Sequence, residues 1–144
     1  MGRNRSVRMA NTRLIETEIR NYHDTRQVLR DLEDTIIQPG AASDPDEYVP
    51  KHEPGDPTPS RAVRLMTSAT IAELRRRVAA IEYMLTVVKA SPESARYEML
   101  KLAYWDNRYT VEGICDQLKL SRATYYRWRR EMLQLVAEKL GWEV

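Results

Sequence analysis

Apolar residues along this chain recur at steps of three and four, the period of an amphipathic helix. Leu14, Ile15, Ile19, Tyr22, Leu29, Leu32, Ile36 and Ile37 form one such stripe, which predicts a single long helix from about Asn11 to Ile37. Arg26 interrupts the stripe, and Pro39-Gly40 stops it. A second stripe, Ile71, Leu74, Val78, Ile81, Leu85 and Val88, follows an unbroken three-four alternation over nearly three heptads. It predicts a helix from near Thr67 or Ser68 to about Lys89. That seam needs a partner helix: the first helix folded back on it, the same helix of a second chain, or both, because the two uses are compatible. Arg75, Arg76 and Arg77 face away from the seam. They read as a solvated face, with a phosphate contact as the alternative.

Between the stripes, residues 39–60 hold six of the seven prolines and the acids Asp44, Asp46, Glu47, Glu53 and Asp56. Proline fixes φ and removes a backbone donor, so neither helix nor central strand is expected there. An extended acidic linker is the reading, with Tyr48 and Val49 as the apolar anchors it could offer a docking partner. After the heptad helix, Ser91-Pro92-Glu93 supplies a capping serine, a proline at the first helical position and an acid in the first turn, predicting a helix to about Tyr104 or Trp105. Two further helices follow, Val111 to about Leu118 and Arg122 to about Leu140, the last stopped by Gly141. No alternating strand pattern or glycine-rich phosphate loop is present. The fold class expected is all-α: an N-terminal long-helix hairpin resembling a coiled coil, then a C-terminal helix-turn-helix domain. The organisation is residues 1–38 long helix, 39–60 linker, 61–90 heptad helix and 91–144 helix-turn-helix.

The composition narrows the function classes. Apolar residues make up 42 % of the 144, enough for a modest core, and no long uncharged apolar run suggests a membrane span. The basic first residues lack the apolar stretch of a secretory signal, and the lone Cys115 cannot form an internal disulfide, so a cytoplasmic protein is expected. Cys115 reads as a small buried hydrophobe and His23 as a surface side chain beside Tyr22 and Asp24. These two and His52 are widely spaced, so no metal or other cofactor is expected. No carboxylate pair or nucleophilic triad can be assembled, so no enzyme is expected. The net charge of +2 conceals segregation: the 41–57 stretch sets five acids against one base, a local −4, leaving +6 elsewhere.

The segment Lys119 to Arg130 carries five bases and no acid. Thr110 is placed to cap the short helix before it, with Glu112 near its positive end, and Ile114, Cys115 and Leu118 face inward. Leu120 is expected to be buried in the turn and Ser121 to cap the last helix. Lys119 stands where many helix-turn-helix units have glycine, which predicts a positive φ costing about 1 kcal/mol. Tyr125, Trp128, Met132, Leu135 or Val136, and Leu140 form the inward stripe. The opposite face presents Arg122, Ala123, Tyr126, Arg127 and Arg130, suited to a major groove about 12 Å wide. Arginine can grip guanine O6 and N7 together, and Ala123 or the Thr124 methyl can touch a thymine methyl. Lys119, Ser121, Thr124 and Arg129 read as phosphate contacts, which position a module without reading sequence. The competing reading is a merely solvated basic face, with Tyr126 open to either role.

These residues resemble the RinA-type phage transcriptional regulators, whose C-terminal part is similar to region 4 of sigma factors. The resemblance rests on Tyr97-Glu98-Met99-Leu100-Lys101-Leu102-Ala103-Tyr104-Trp105, on Tyr109-Thr110-Val111-Glu112-Gly113-Ile114, on Ser121-Arg122-Ala123-Thr124-Tyr125-Tyr126-Arg127-Trp128-Arg129, and on Val136-Ala137-Glu138-Lys139-Leu140-Gly141. It covers roughly the last third of the chain, and Glu18 to His23 and the linker match more loosely. It implies a regulator in phages or prophages of Gram-positive bacteria that activates late packaging and morphogenesis genes, with host RNA polymerase as a partner. The partners expected are therefore double-stranded DNA, host RNA polymerase and a second copy of the chain, a dimer being favoured, with no membrane. Two readings compete: a DNA-packaging protein of small-terminase type, which would form rings, and an adaptor that docks on polymerase without touching DNA.

Overall fold

The computed structural model describes residues 2–37 and 59–144, and all its regular elements are helical. Helices α1 (Gly2–Arg20), α2 (Tyr22–Ile37) and α3 (Pro59–Ala90) form the long-helix part. Helix α4 (Ala95–Leu100) runs into a π-helical turn, Lys101–Trp105, followed by α5 (Val111–Leu118) and α6 (Arg122–Leu140). The all-α class is the one expected. No helix among the described residues is long and apolar enough to cross a membrane. Residues 39–58 of the expected linker, with Tyr48 and Val49, lie outside the described residues, as do the side chains of Ile36 and Ile37.

Three helix boundaries differ from expectation, each for a physical reason. The first helix begins at Gly2 and is broken at Asn21. There the indole N–H of Trp105 donates to the Ile19 carbonyl at 2.9 Å, the acceptor a continuous helix would offer to the His23 N–H. A side chain inserted into the ladder is a recognised cause of a helix break. Helix α3 begins at Pro59 and not near Thr67, because proline at a first helical position has no N–H to lose. Helix α4 begins at Ala95 and not at Pro92: the Ser91 hydroxyl accepts from the Glu93 N–H, two residues on, and closes a local turn.

The chain divides into two compact units, Met1–His23 with Arg76–Val144, and Asp24–Arg75. In the smaller unit Leu29 and Ile71 are buried, and the Arg75 guanidinium pairs with Glu33 at 2.7 Å. In the larger unit Ile15, Ile19 and Tyr22 share a core with Val78, Ala80, Ile81, Met84, Leu85 and Val88 of α3 and the buried faces of α4 to α6. Fully buried side chains such as Ile15, Ile19 and Met84 each contribute about 1.5–3 kcal/mol. Leu14, expected on this stripe, is exposed: it stands one position, about 100°, off the Ile15–Ile19 line. The heptad residues Val78, Ile81, Leu85 and Val88 are thus covered within the chain.

The arginine run at 75–77 is not a plain solvated face. Arg76 Nη1 donates to the Leu140 carbonyl at 2.9 Å, satisfying an orphan acceptor at the end of α6, and Arg77 Nη1 lies 2.5 Å from Glu18 Oε1. The π-helical turn has a similar packing role. The Asp106 N–H bonds five residues back to Lys101, and the wider turn points Tyr104 and Trp105 at α1.

Candidate nucleic-acid interface

Helices α5 and α6 meet through the three residues Lys119 to Ser121. Thr110 has extended backbone, and its hydroxyl accepts from the Gly113 N–H at 3.1 Å, so α5 starts where its cap requires. Lys119 ends α5 at φ 56° and ψ 46°, the left-handed conformation that its place in the turn predicts. With that φ, the Leu120 N–H reaches back to the Cys115 carbonyl at 2.9 Å. Ser121 then caps α6, accepting from the Thr124 N–H at 3.1 Å while its hydroxyl donates to Thr124 Oγ1. At the far end Gly141 is left-handed, and the Trp142 N–H bonds the Ala137 carbonyl, terminating α6.

Burial divides α6 along its length. Tyr125, Trp128, Met132, Val136 and Leu140 point inward together with Leu133 and Ala137, and Val136 takes the core position that Leu135 could have held. Ile114 and Cys115 are buried opposite them, while Leu118 and Leu120 are half-buried. Arg122, Ala123, Tyr126, Arg127 and Arg130 are exposed, as are Lys119 and Ser121. Arg122, Tyr126 and Arg130 recur every four residues, a ridge about 12 Å long, close to the width of a major groove. Arg122 lies 3.6 Å from Glu112, and the neighbouring Tyr126 hydroxyl, followed by the Glu112 charge, raises the pKa of its guanidinium. Tyr126 packs edge-on to Tyr125, ring centroids 5.3 Å apart, so the exposed ring is braced by a buried one.

Arg129 departs from this set. Sequence periodicity made it a phosphate contact, but its guanidinium is turned to Glu16 of α1, with Nε and Nη2 each 2.8 Å from Oε1. Burial would lower the pKa of Arg129, but the hydrogen bond and charge of Glu16 outweigh it and leave it raised. The Tyr104 hydroxyl donates to the same carboxylate oxygen at 3.0 Å, and burial followed by the Glu16 charge raises its pKa well above the ordinary tyrosine range. Glu16 therefore locks α6 and the π-helical turn onto α1. Nothing in the local sequence marks it, because its partners lie 88 and 113 residues away. The Ser121 hydroxyl is spent on the cap, both accepting and donating, whereas Thr124 Oγ1 only accepts and keeps its own proton.

An open cleft of about 370 Å³ adjoins the ridge, with Tyr109, Tyr126, Arg20 and the Glu16–Tyr104–Arg129 cluster in its wall. Among the described residues, no three His, Cys, Asp or Glu side chains come together as metal ligands would. His23 is exposed and lies against Trp105, ring centroids 4.5 Å apart, and Cys115 is buried.

No curated protein and no solved structure matches this chain. A family model described as protein of unknown function (DUF1492) matches residues 66–137, which take in most of α3, α4, α5 and most of α6. Half of the chain is matched, and the chain belongs to that family.

Proposed function

We propose that this chain is a sequence-specific DNA-binding transcriptional regulator, working as a helix-turn-helix protein with α6 in the major groove. The observation that carries the reading is the division of α6: an exposed ridge of Arg122, Ala123, Tyr126, Arg127 and Arg130 backed by a buried Tyr125–Trp128 stripe. A helix about 10–12 Å across fits a groove about 12 Å wide, and its arginines suit guanine edges. Lys119, exposed in the turn, suits a flanking phosphate. The setting comes from the resemblance to RinA-type regulators: the cytoplasm of a bacterial host, phage or prophage late and packaging genes, activation together with host RNA polymerase, and a dimer on its site.

Duplexes selected by the protein from fragmented phage or prophage DNA test this reading. The selected duplex should bind more tightly than random DNA, with an affinity that falls linearly in log–log terms as salt rises. Arg127→Ala should cost about 1–3 kcal/mol on the selected duplex and relax its sequence preference. An equal loss on selected and random duplexes would reassign Arg127 to phosphate. Absence of any salt-dependent binding would refute the reading.

A further inference from the structure

Helix α1 carries Arg3, Arg5, Arg8 and Arg13 and no acid before Glu16. Its face Arg5, Arg8, Met9, Thr12, Arg13 and Glu16, at alternating steps of three and one, lines a cleft of about 390 Å³ with Arg129 and Val144. A neighbouring cleft of about 430 Å³ shares Thr12, Arg129 and Val144 and continues to Tyr126 and Arg130 on the α6 ridge. The two clefts make one surface running from the α6 ridge onto α1. Its acidic side chains are already committed: Glu16 is taken by Arg129 and Tyr104, and Glu143 lies 3.6 Å from Arg8. Arg5 and Arg13 are exposed, and among the described residues neither has an acidic partner. They stand eight residues apart on one helix, about 12 Å.

From this placement we infer that the basic face of α1 is a second DNA-contact surface, gripping the sugar-phosphate backbone beside the groove that α6 enters. The inference rests on the DNA-binding reading of α6. A helix seated in a groove has a phosphate ridge on each side, and α1 is packed along one flank of α6 through the Glu16–Arg129 pair. Isolated guanidinium groups on such a flank meet phosphates, not base edges, so this surface adds affinity without sequence preference.

The experiment compares wild type with Arg5→Gln/Arg13→Gln on a selected duplex and on a mixed-sequence duplex, from 50 to 200 mM salt. Neutralising two phosphate contacts should reduce the log–log salt slope by about 1.8. The affinity lost between those concentrations should then be about twelvefold smaller than for wild type. The change should be equal on both duplexes, leaving the ratio of the two affinities unchanged. Arg5→Lys/Arg13→Lys keeps both charges and should keep the wild-type slope, with helicity by circular dichroism as the folding control. A wild-type slope in the Gln variant, or a reduced one in the Lys variant, overturns the inference and leaves the α6 reading intact. A wild-type protein with no salt-dependent binding overturns both.

Discussion

Replacing Lys119 with glycine should stabilise this protein, an unusual direction for a point substitution. Lys119 is the sole non-glycine among the described residues with a positive φ, held at 56° by the turn between α5 and α6. A residue with a Cβ is strained there by about 1–2 kcal/mol relative to the right-handed conformation. Glycine removes that strain but adds freedom to the unfolded chain, an opposing contribution of about 0.4–1 kcal/mol. The expected net gain is about 0.5–1 kcal/mol. The side chain is exposed, and alanine keeps the strained Cβ while removing the charge, so Lys119→Ala is the proper reference. Urea unfolding of both variants measures the difference, which should move the midpoint by about 0.5 M at an m value of about 1–3 kcal/mol/M. A glycine variant no more stable than the alanine variant would refute the strain argument. Both variants lose one charge, so both should lower the slope of DNA binding against salt by about 1 if Lys119 meets a phosphate.

Glu16→Gln should destabilise the protein by about 1–2 kcal/mol, because it leaves the half-buried Arg129 without its counter-charge. A double-mutant cycle with Arg129→Gln should show coupling, whereas additive losses would mean that the pair contributes nothing of its own. Ser121→Ala should cost about 1 kcal/mol of thermal or urea stability through the lost cap on the Thr124 N–H, and Ser121→Asp should recover most of it. The raised pKa of Tyr104 means that the folded protein keeps a proton that the unfolded chain releases above about pH 10. The stability this contributes is complete below that pH and is lost as pH rises through and beyond it, towards the folded value. Tyrosinate absorbance on alkaline titration should show Tyr104 ionising last, after Tyr125, which burial also raises, and Tyr104→Phe should remove the last step.

Local interactions were legible from residue order alone. Thr110 and Ser121 were readable as caps, Gly141 as a stop and Lys119 as a left-handed residue, because each of these features closes a hydrogen bond within a few residues of itself. The outward set Arg122, Ala123, Tyr126, Arg127 and Arg130 followed from helical period against the bulk of Tyr125 and Trp128. Periodicity failed where distant groups compete for a side chain. Arg129 carried the same basic signature as Arg130, yet Glu16 claims it from another helix. Arg76 and Arg77 looked solvated and are fastened to Leu140 and Glu18.

By itself, then, the amino-acid sequence determined that this is an all-α protein, where α5 and α6 are capped, and which face of α6 is exposed. These outcomes depend on backbone bonds a few residues long and on the repeat of apolar positions. Tertiary structure alone decided that the first helix breaks at Asn21, that the π-helical turn points Tyr104 and Trp105 at α1, and that Arg129 pairs with Glu16. In each of these cases the deciding partner is more than 80 residues away or in another helix, where local spacing carries no information about which charge or carbonyl will arrive.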